Sequence, residues 1–118
     1  MLPIEIAEKI IKALDEKKGM DICMIATTQV TVVADYFIIV NGTSNTHVKS
    51  LADEVEDALT KEGVNASHDE GKATGWILLD YDSVVVHVFT KESREYYNLE
   101  KLWADGEIVD ISSLVTAD

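Results

Sequence analysis

Two short polar motifs contain the residue types that a nucleotidyl-transfer reaction uses. Gly42-Thr43-Ser44 could open a helix whose first N–H groups hold phosphate oxygens, and Asp80 and Asp82 could hold magnesium. Thirty-five residues separate Ser44 from Asp80, however, whereas a nucleotidyltransferase has its acidic pair soon after the Gly-Ser turn. Asp82 also falls in a predicted turn, and no basic cluster lies nearby to bind a triphosphate. An enzyme that binds nucleotide and magnesium is therefore only the alternative, and we expect no catalytic residue.

The histidines and the single cysteine do not have the spacing of a metal site. They fall on different predicted elements: His47, His68, His87 and Cys23. The sequence therefore predicts no metal and no cofactor. Ser44 lacks spaced histidine and aspartate partners, which disfavours nucleophilic catalysis. His87 lies in a valine-rich run, so we expect a buried imidazole that donates to a backbone carbonyl or a carboxylate.

The run Trp76-Ile77-Leu78-Leu79-Asp80-Tyr81 predicts a strand that forms the first arm of a hairpin. Because side chains alternate along a strand, Trp76, Leu78 and Asp80 share one face, and the other three residues share the opposite face. An aromatic anchor, an aliphatic neighbour and a carboxylate for a Lys or Arg have the composition of a binding hot spot. Spacing alone favours the alternative, in which all six residues pack internally against Leu99 and Trp103.

Hydrophobic periodicity predicts helices and strands along the whole chain, residues 1–118, which we expect to form one domain. The predicted elements are a helix from Pro3, strands at 20–26 and 36–40, a helix capped by Ser44 or Asn45 and ended by Gly63, an edge strand within 64–70, hairpin arms at 76–81 and 84–89, and a helix capped by Thr90. The tail, 105–118, is expected to be peripheral. This order predicts an α/β fold in which a mixed sheet of about five strands carries helices packed on it.

Acidic residues outnumber basic ones by 22 to 10, which gives a net charge of −12. Such a surface repels phosphate, so it disfavours direct nucleic-acid binding; it attracts basic partners, of which ribosomal proteins are the most abundant in a cytoplasm. Charge alone fits equally well a protein that is simply kept soluble. No apolar run reaches the ~18 residues of a membrane span. We expect no signal peptide, and a lone cysteine suits a cytoplasmic protein.

Three motifs follow one another with a recognisable spacing. They are Ala34-Asp35-Tyr36-Phe37; Gly42-Thr43-Ser44 with His47-Val48 and Ala52-Asp53; and the block 75–103, with its Trp-x-Leu-Leu-Asp, Val-Val-His-Val and Arg-Glu-x-Tyr-x-Leu-Glu-x-Leu-Trp elements. In this combination the chain resembles the ribosomal silencing factor family, also called RsfS or Iojap. The resemblance covers essentially the whole chain.

The resemblance implies an architecture related to nucleotidyltransferases but no enzymatic activity. Members of the family bind a basic protein of the large ribosomal subunit, the one numbered fourteen. Bound there, they sterically block joining of the small subunit and lower translation when nutrients run short. Members often form homodimers, so the resemblance implies a homodimer here too.

The resemblance also implies site residues. It assigns ribosomal docking to the first hairpin strand, through Trp76, Leu78, Asp80 and Tyr81. It makes His87 a structural or interface residue. By position, Arg94 is expected to pair with Glu95 or Asp80, and Tyr97 and Trp103 are expected to form core or dimer contacts. A plain oligomeric structural module is the remaining alternative.

Three positions depart from the family pattern. Thr46 stands where a basic residue is common, Val32 where a hydroxyl residue is frequent, and Asp82-Ser83 where the hairpin turn usually has Gly-Asp. The last departure is expected to alter the turn type or to shift the acidic charge by one residue.

Overall fold

The structure is a computed structural model that describes residues 2–27, 34–70, 75–98, 101 and 106–115. Its elements are α1 (Pro3–Glu16), β1 (Met20–Ala26), β2 (Tyr36–Gly42), α2 (Asn45–Thr60), β3 (His68–Glu70), β4 (Trp76–Asp80), β5 (Val84–Thr90), α3 (Lys91–Tyr97) and β6 (Glu107–Ile108). The strands form one sheet in the order β3-β4-β5-β2-β1-β6. β2 and β5 are parallel, and the other neighbours are antiparallel. The predicted α/β class with a mixed sheet is confirmed.

Local sequence signals explain where the helices begin and end. Pro3 occupies the first turn of α1, where its missing N–H leaves no partner unsatisfied. The Ser44 hydroxyl caps α2 by accepting a hydrogen bond from the His47 N–H, and the Thr90 hydroxyl does the same for Ser93 at the start of α3. After α2, Gly63 takes a φ of 77°, a conformation that glycine adopts without strain.

The main core lies between the sheet and the apolar faces of α1 and α2. The helices contribute Ile6, Ala7, Ile10, Ile11, Leu14, Val48, Leu51, Ala52, Val55 and Leu59. The central strands contribute Ile38, Val40, Ile77, Leu79, Val84, Val86 and Val88. β2 and β5 are buried along nearly their whole length, which explains why both read as continuous apolar runs.

Several strand bounds differ from the sequence prediction: β4 ends at Asp80 rather than Tyr81, and β5 continues to Thr90. β2 does not end before Asn41 but continues to Gly42, where its parallel register pairs Gly42 with Thr90. The tail contains a sixth strand, β6, in which Ile108 and Glu107 pair with Ile25 and Ala26 at the end of β1. A strand of two residues is too short to show periodicity, so the sequence could not indicate it.

Candidate functional site

The outer face of β4, formed by Trp76, Leu78 and Asp80, lies on the side of the sheet that α1 and α2 do not cover. All three side chains are partly buried. On the same strand Ile77 is 1% and Leu79 is 0% exposed, because they point into the main core. The predicted alternation along this strand is therefore confirmed. The strand needs only its inner residues to close the main core.

An aromatic cluster surrounds Trp76. Its ring centroid lies 4.5 Å from that of Tyr97 and 5.2 Å from that of Phe89, which is Trp76's cross-strand neighbour on β5. Tyr97 is 45% and Tyr96 82% exposed, and their rings meet edge to face at 5.1 Å. The cluster therefore continues from the fully buried Phe89, through the partly buried indole, to an exposed aromatic edge at the end of α3.

His87 lies beside this cluster and opposite Leu78 in the β4–β5 register. It is buried, and the loss of hydration lowers its pKa to about 4, so its ring is neutral near pH 7. The predicted donation to a carbonyl or carboxylate is wrong for the described residues. Instead Nδ1 accepts a hydrogen bond from Nε1–H of Trp76 at 3.2 Å, and Nε2 is buried without a hydrogen-bond partner among the residues that the structure describes.

The structure does not bring every predicted site residue to the outer face of β4. Tyr81 is 5% exposed and belongs to the core on the helix side, as its alternation with Asp80 requires. Tyr81 therefore lies on the face opposite that of Trp76, Leu78 and Asp80. Trp103, Leu99 and Val32 lie outside the described residues.

The hairpin turn after β4 is built around Asp82. The N–H of Ser83 donates to Tyr81 O at 2.8 Å across Asp82, whose φ of 65° gives a tight three-residue turn with a rare backbone conformation. The Asp80 carboxylate accepts from the Asp82 N–H at 2.8 Å, and the Ser67 hydroxyl reaches Asp82 Oδ1 at 3.4 Å. Glycine adopts a positive φ freely, so Asp82-Ser83 places a strained aspartate where the family pattern has glycine.

The two halves of the possible nucleotidyl-transfer site lie at opposite ends of the sheet. In the registers of β5, Gly42 pairs with Thr90 whereas Asp80 pairs with Val85. Five residues of extended strand separate these positions by about 17 Å. The Gly42-Thr43-Ser44 turn and the Asp80/Asp82 pair therefore do not converge on one nucleotide and one metal ion.

Arg94 connects α3 to the far ends of β1 and β2. Its Nη1 donates to Asp21 O at 2.6 Å and to Asn41 Oδ1 at 2.9 Å, with a longer contact of 3.5 Å to Met20 O. The predicted pairing with Asp80 is wrong, because Asp80 lies at the opposite end of β4 from α3. Asn41 is 3% exposed, so Arg94 supplies a donor to a buried polar group and fixes the base of α3 on the sheet.

His47 has a structural role that sequence reasoning missed. Its Nδ1 accepts from the Thr43 N–H at 2.9 Å, and its Nε2 donates to Lys17 O at 2.7 Å. The ring thereby joins the start of α2 to the end of α1. Its position three residues after the Ser44 cap could have suggested the local bond, but nothing local indicates Lys17 as the second partner.

Comparison with known proteins identifies the family. A family model described as "Ribosomal silencing factor during starvation" matches residues 2–118. The chain belongs to this family. "Ribosomal silencing factor RsfS" of Bacillus subtilis is 41% identical over 100 residues, which cover 84% of this chain and 85% of the relative. Membership in the ribosomal silencing factor family thus agrees with the resemblance that the three motifs indicated.

Two further relatives support the same assignment. A crystal structure of a Chromobacterium violaceum protein superposes with a TM-score of 0.86 at 38% identity, covering 88% of both chains. A mouse protein named "Mitochondrial assembly of ribosomal large subunit protein 1" is 32% identical over 114 residues, or 90% of this chain and 50% of the mouse protein. Within the ribosomal silencing factor family, the fold described above is therefore shared with a solved structure.

The described ranges contain neither a cluster of metal ligands nor a helix that could span a membrane. No group of three or more His, Cys, Asp and Glu side chains there is arranged to hold a metal ion. No helix in those ranges is long and apolar enough to cross a bilayer.

Proposed function

We propose that this protein docks on the large ribosomal subunit and sterically blocks joining of the small subunit. In this way it represses translation when nutrients are limiting. The partner is the basic protein numbered fourteen of the large subunit, and the outer face of β4 is the docking surface. The protein acts in the cytoplasm as a single domain, residues 1–118, without catalysis. Family membership and the name of the mouse relative, which refers to the large ribosomal subunit, support this function.

One structural observation carries the proposal for the surface. Trp76 and Leu78 are only partly buried on the side of the sheet away from α1 and α2, while Ile77 and Leu79 complete the main core without them. A tryptophan and a leucine held on a rigid strand can bury further apolar area against a partner at little cost in conformational entropy. Asp80, at the end of the same face, supplies a carboxylate for a Lys or Arg of that partner.

The charge of the chain fits a basic partner. A net charge of −12 attracts a cationic protein over several ångströms and raises the rate of productive encounters. Because charges at the rim of an interface act mainly on association, added salt should slow association more than it speeds release. A salt-insensitive association rate would contradict this part of the proposal.

The remaining predicted site residues take secondary roles in this proposal. Tyr97 extends the docking surface along α3, and Arg94 fixes that helix on the sheet. Tyr81 supports β4 from inside the core. Trp103 stays a proposed core or homodimer contact. A two-fold homodimer is part of the proposal, and its interface competes with docking if the two surfaces overlap.

Equilibrium binding to purified large subunits tests the docking surface. Trp76→Ala and Leu78→Ala should each retain the fold and weaken binding, the first by about 2 kcal/mol or roughly thirtyfold. Leu2→Ala is the matched control, because Leu2 is 64% exposed at the start of α1, away from the outer face of β4. Wild-type affinity in folded Trp76→Ala and Leu78→Ala proteins would remove this surface from the interface.

A further inference from the structure

We propose that His87 is a positioning residue, whose neutral imidazole accepts the indole N–H of Trp76 and thereby fixes the indole in the orientation that docks. This inference rests on the proposed function, since it assigns to His87 a role in presenting the docking side chain. His87 itself need not touch the partner.

The geometry gives the indole two kinds of restraint. Phe89 stacks on the indole at 5.2 Å between centroids, and the Tyr97 ring packs against it at 4.5 Å with a tilt of 44°. These contacts restrain the plane of the indole but leave rotation and sliding open. The bond from Nε1–H to His87 Nδ1, at 3.2 Å, is directional and selects one orientation. Together they fix both the plane and the direction of the tryptophan side chain.

The acceptor is itself buried between aromatic rings. His87 is 5% exposed, and its ring lies nearly parallel to that of Phe89 at 6.1 Å and tilted against that of Phe37 at 5.4 Å. A buried ring held between aromatic neighbours gives its partner a fixed reference point. An exposed acceptor or a water molecule would not do so.

The choice of histidine at this position costs stability that packing does not recover. Its neighbours on the same face of β5, Val85 and Phe89, are 7% and 0% exposed, and an apolar residue would suit this environment. The imidazole instead buries Nε2 without a hydrogen-bond partner among the described residues, which is unfavourable. Nδ1 must be unprotonated to accept from Trp76, so the proton is on Nε2. The Nε2–H group of His87 thus lacks a partner among the described residues because Nδ1 must serve as the acceptor for the indole N–H.

Two variants separate positioning from packing. His87→Leu removes the acceptor and fills the site with apolar atoms, so it should leave the free energy of unfolding unchanged or raise it. It should nevertheless weaken binding to large subunits by about three- to tenfold, because the indole must then be ordered on docking. His87→Asn can place its amide oxygen near the position of Nδ1, and it should restore binding to within about twofold of wild type.

The indole N–H resonance of the free protein provides a readout that does not depend on docking. It is assigned with Trp76→Phe and Trp103→Phe variants. In wild type and His87→Asn it should be protected from solvent exchange, and in His87→Leu it should exchange fast.

Fast exchange of this N–H in the wild type would show that the hydrogen bond is absent. If His87→Leu binds large subunits as tightly as wild type, His87 does not position the indole for docking. If both variants lose binding only in proportion to their loss of stability, His87 acts through packing alone, which would contradict the proposal. If Trp76→Ala docks normally, the outer face of β4 is not the docking surface, whatever the resonance shows.

Discussion

The ring of Tyr97 lies 4.5 Å from the ring of Trp76, centroid to centroid, and joins the end of α3 to the first residue of β4. Because Tyr97 covers part of the indole, Tyr97→Ala should lower the free energy of unfolding by about 0.5 to 1.5 kcal/mol. Tyr96→Ala is the control within the same helix. Tyr96 is 82% exposed and meets only the edge of Tyr97, so its removal should cost less than about 0.5 kcal/mol. Equal losses in urea unfolding would contradict the assigned contact.

Arg94 should matter for stability more than a surface arginine does. Arg94→Met removes the donor to Asn41 Oδ1 and to Asp21 O, and a buried acceptor is then left without its partner. The expected loss is about 1.5 to 3 kcal/mol in urea unfolding. Lys91→Met, on the exposed side of the same helix, is the matched control and should be nearly neutral. A neutral Arg94→Met would show that the bonds to β1 and β2 do not stabilise the fold.

Burial of His87 predicts a loss of stability in mild acid. Its pKa is lowered to about 4 in the folded protein, whereas an unfolded histidine titrates near 6.5. Between these values the unfolded chain binds a proton that the folded chain does not, so stability falls as the pH falls. The contribution is fully present above about pH 6.5, and by pH 5 about 2 kcal/mol of it should be lost.

His87→Leu isolates this contribution, because it removes the titrating group and keeps the site apolar. Its free energy of unfolding should change far less between pH 7.5 and pH 5 than that of the wild type. Parallel pH profiles for the two proteins in urea unfolding would show that another group is responsible.

The turn after β4 should become more stable with glycine at its centre. Asp82 has a φ of 65°, and Asp82→Gly relieves this strain while it loses only the 3.4 Å contact to Ser67. We expect a gain of about 0.5 to 1 kcal/mol. Ser83→Gly is the control: Ser83 does not have a positive φ, so added backbone freedom should cost a similar amount. A destabilised Asp82→Gly protein would mean that the aspartate side chain outweighs the strain.

Features that depend on neighbours along the chain could be predicted from the sequence. Ser44 and Thr90 cap their helices as expected, and the alternation from Trp76 to Leu79 places each side chain on the expected face. These signals arise from helix ends and from the two-residue period of a strand, which are local properties. The order of the predicted helices and strands indicated the fold class, and the three motifs indicated the family.

Features that depend on distant partners could not be predicted. Arg94 bonds to the carbonyl of Asp21, seventy-three residues earlier, and His87 finds its donor across the hairpin. Both outcomes follow from strand register and from the packing of α3, which periodicity does not fix. The positive φ of Asp82 likewise results from closing this particular turn. The residue types alone predicted a change of turn type or of charge position, but not this backbone conformation.

Subunit joining, followed by light scattering with purified small and large ribosomal subunits, tests the central claim most directly. The account predicts that an excess of the wild-type protein suppresses the scattering increase, that Leu2→Ala does so equally, and that Trp76→Ala at the same concentration does not. Normal joining in the presence of excess wild-type protein would contradict the proposed function. Full suppression by Trp76→Ala would contradict the assignment of the outer face of β4 as the surface that performs it.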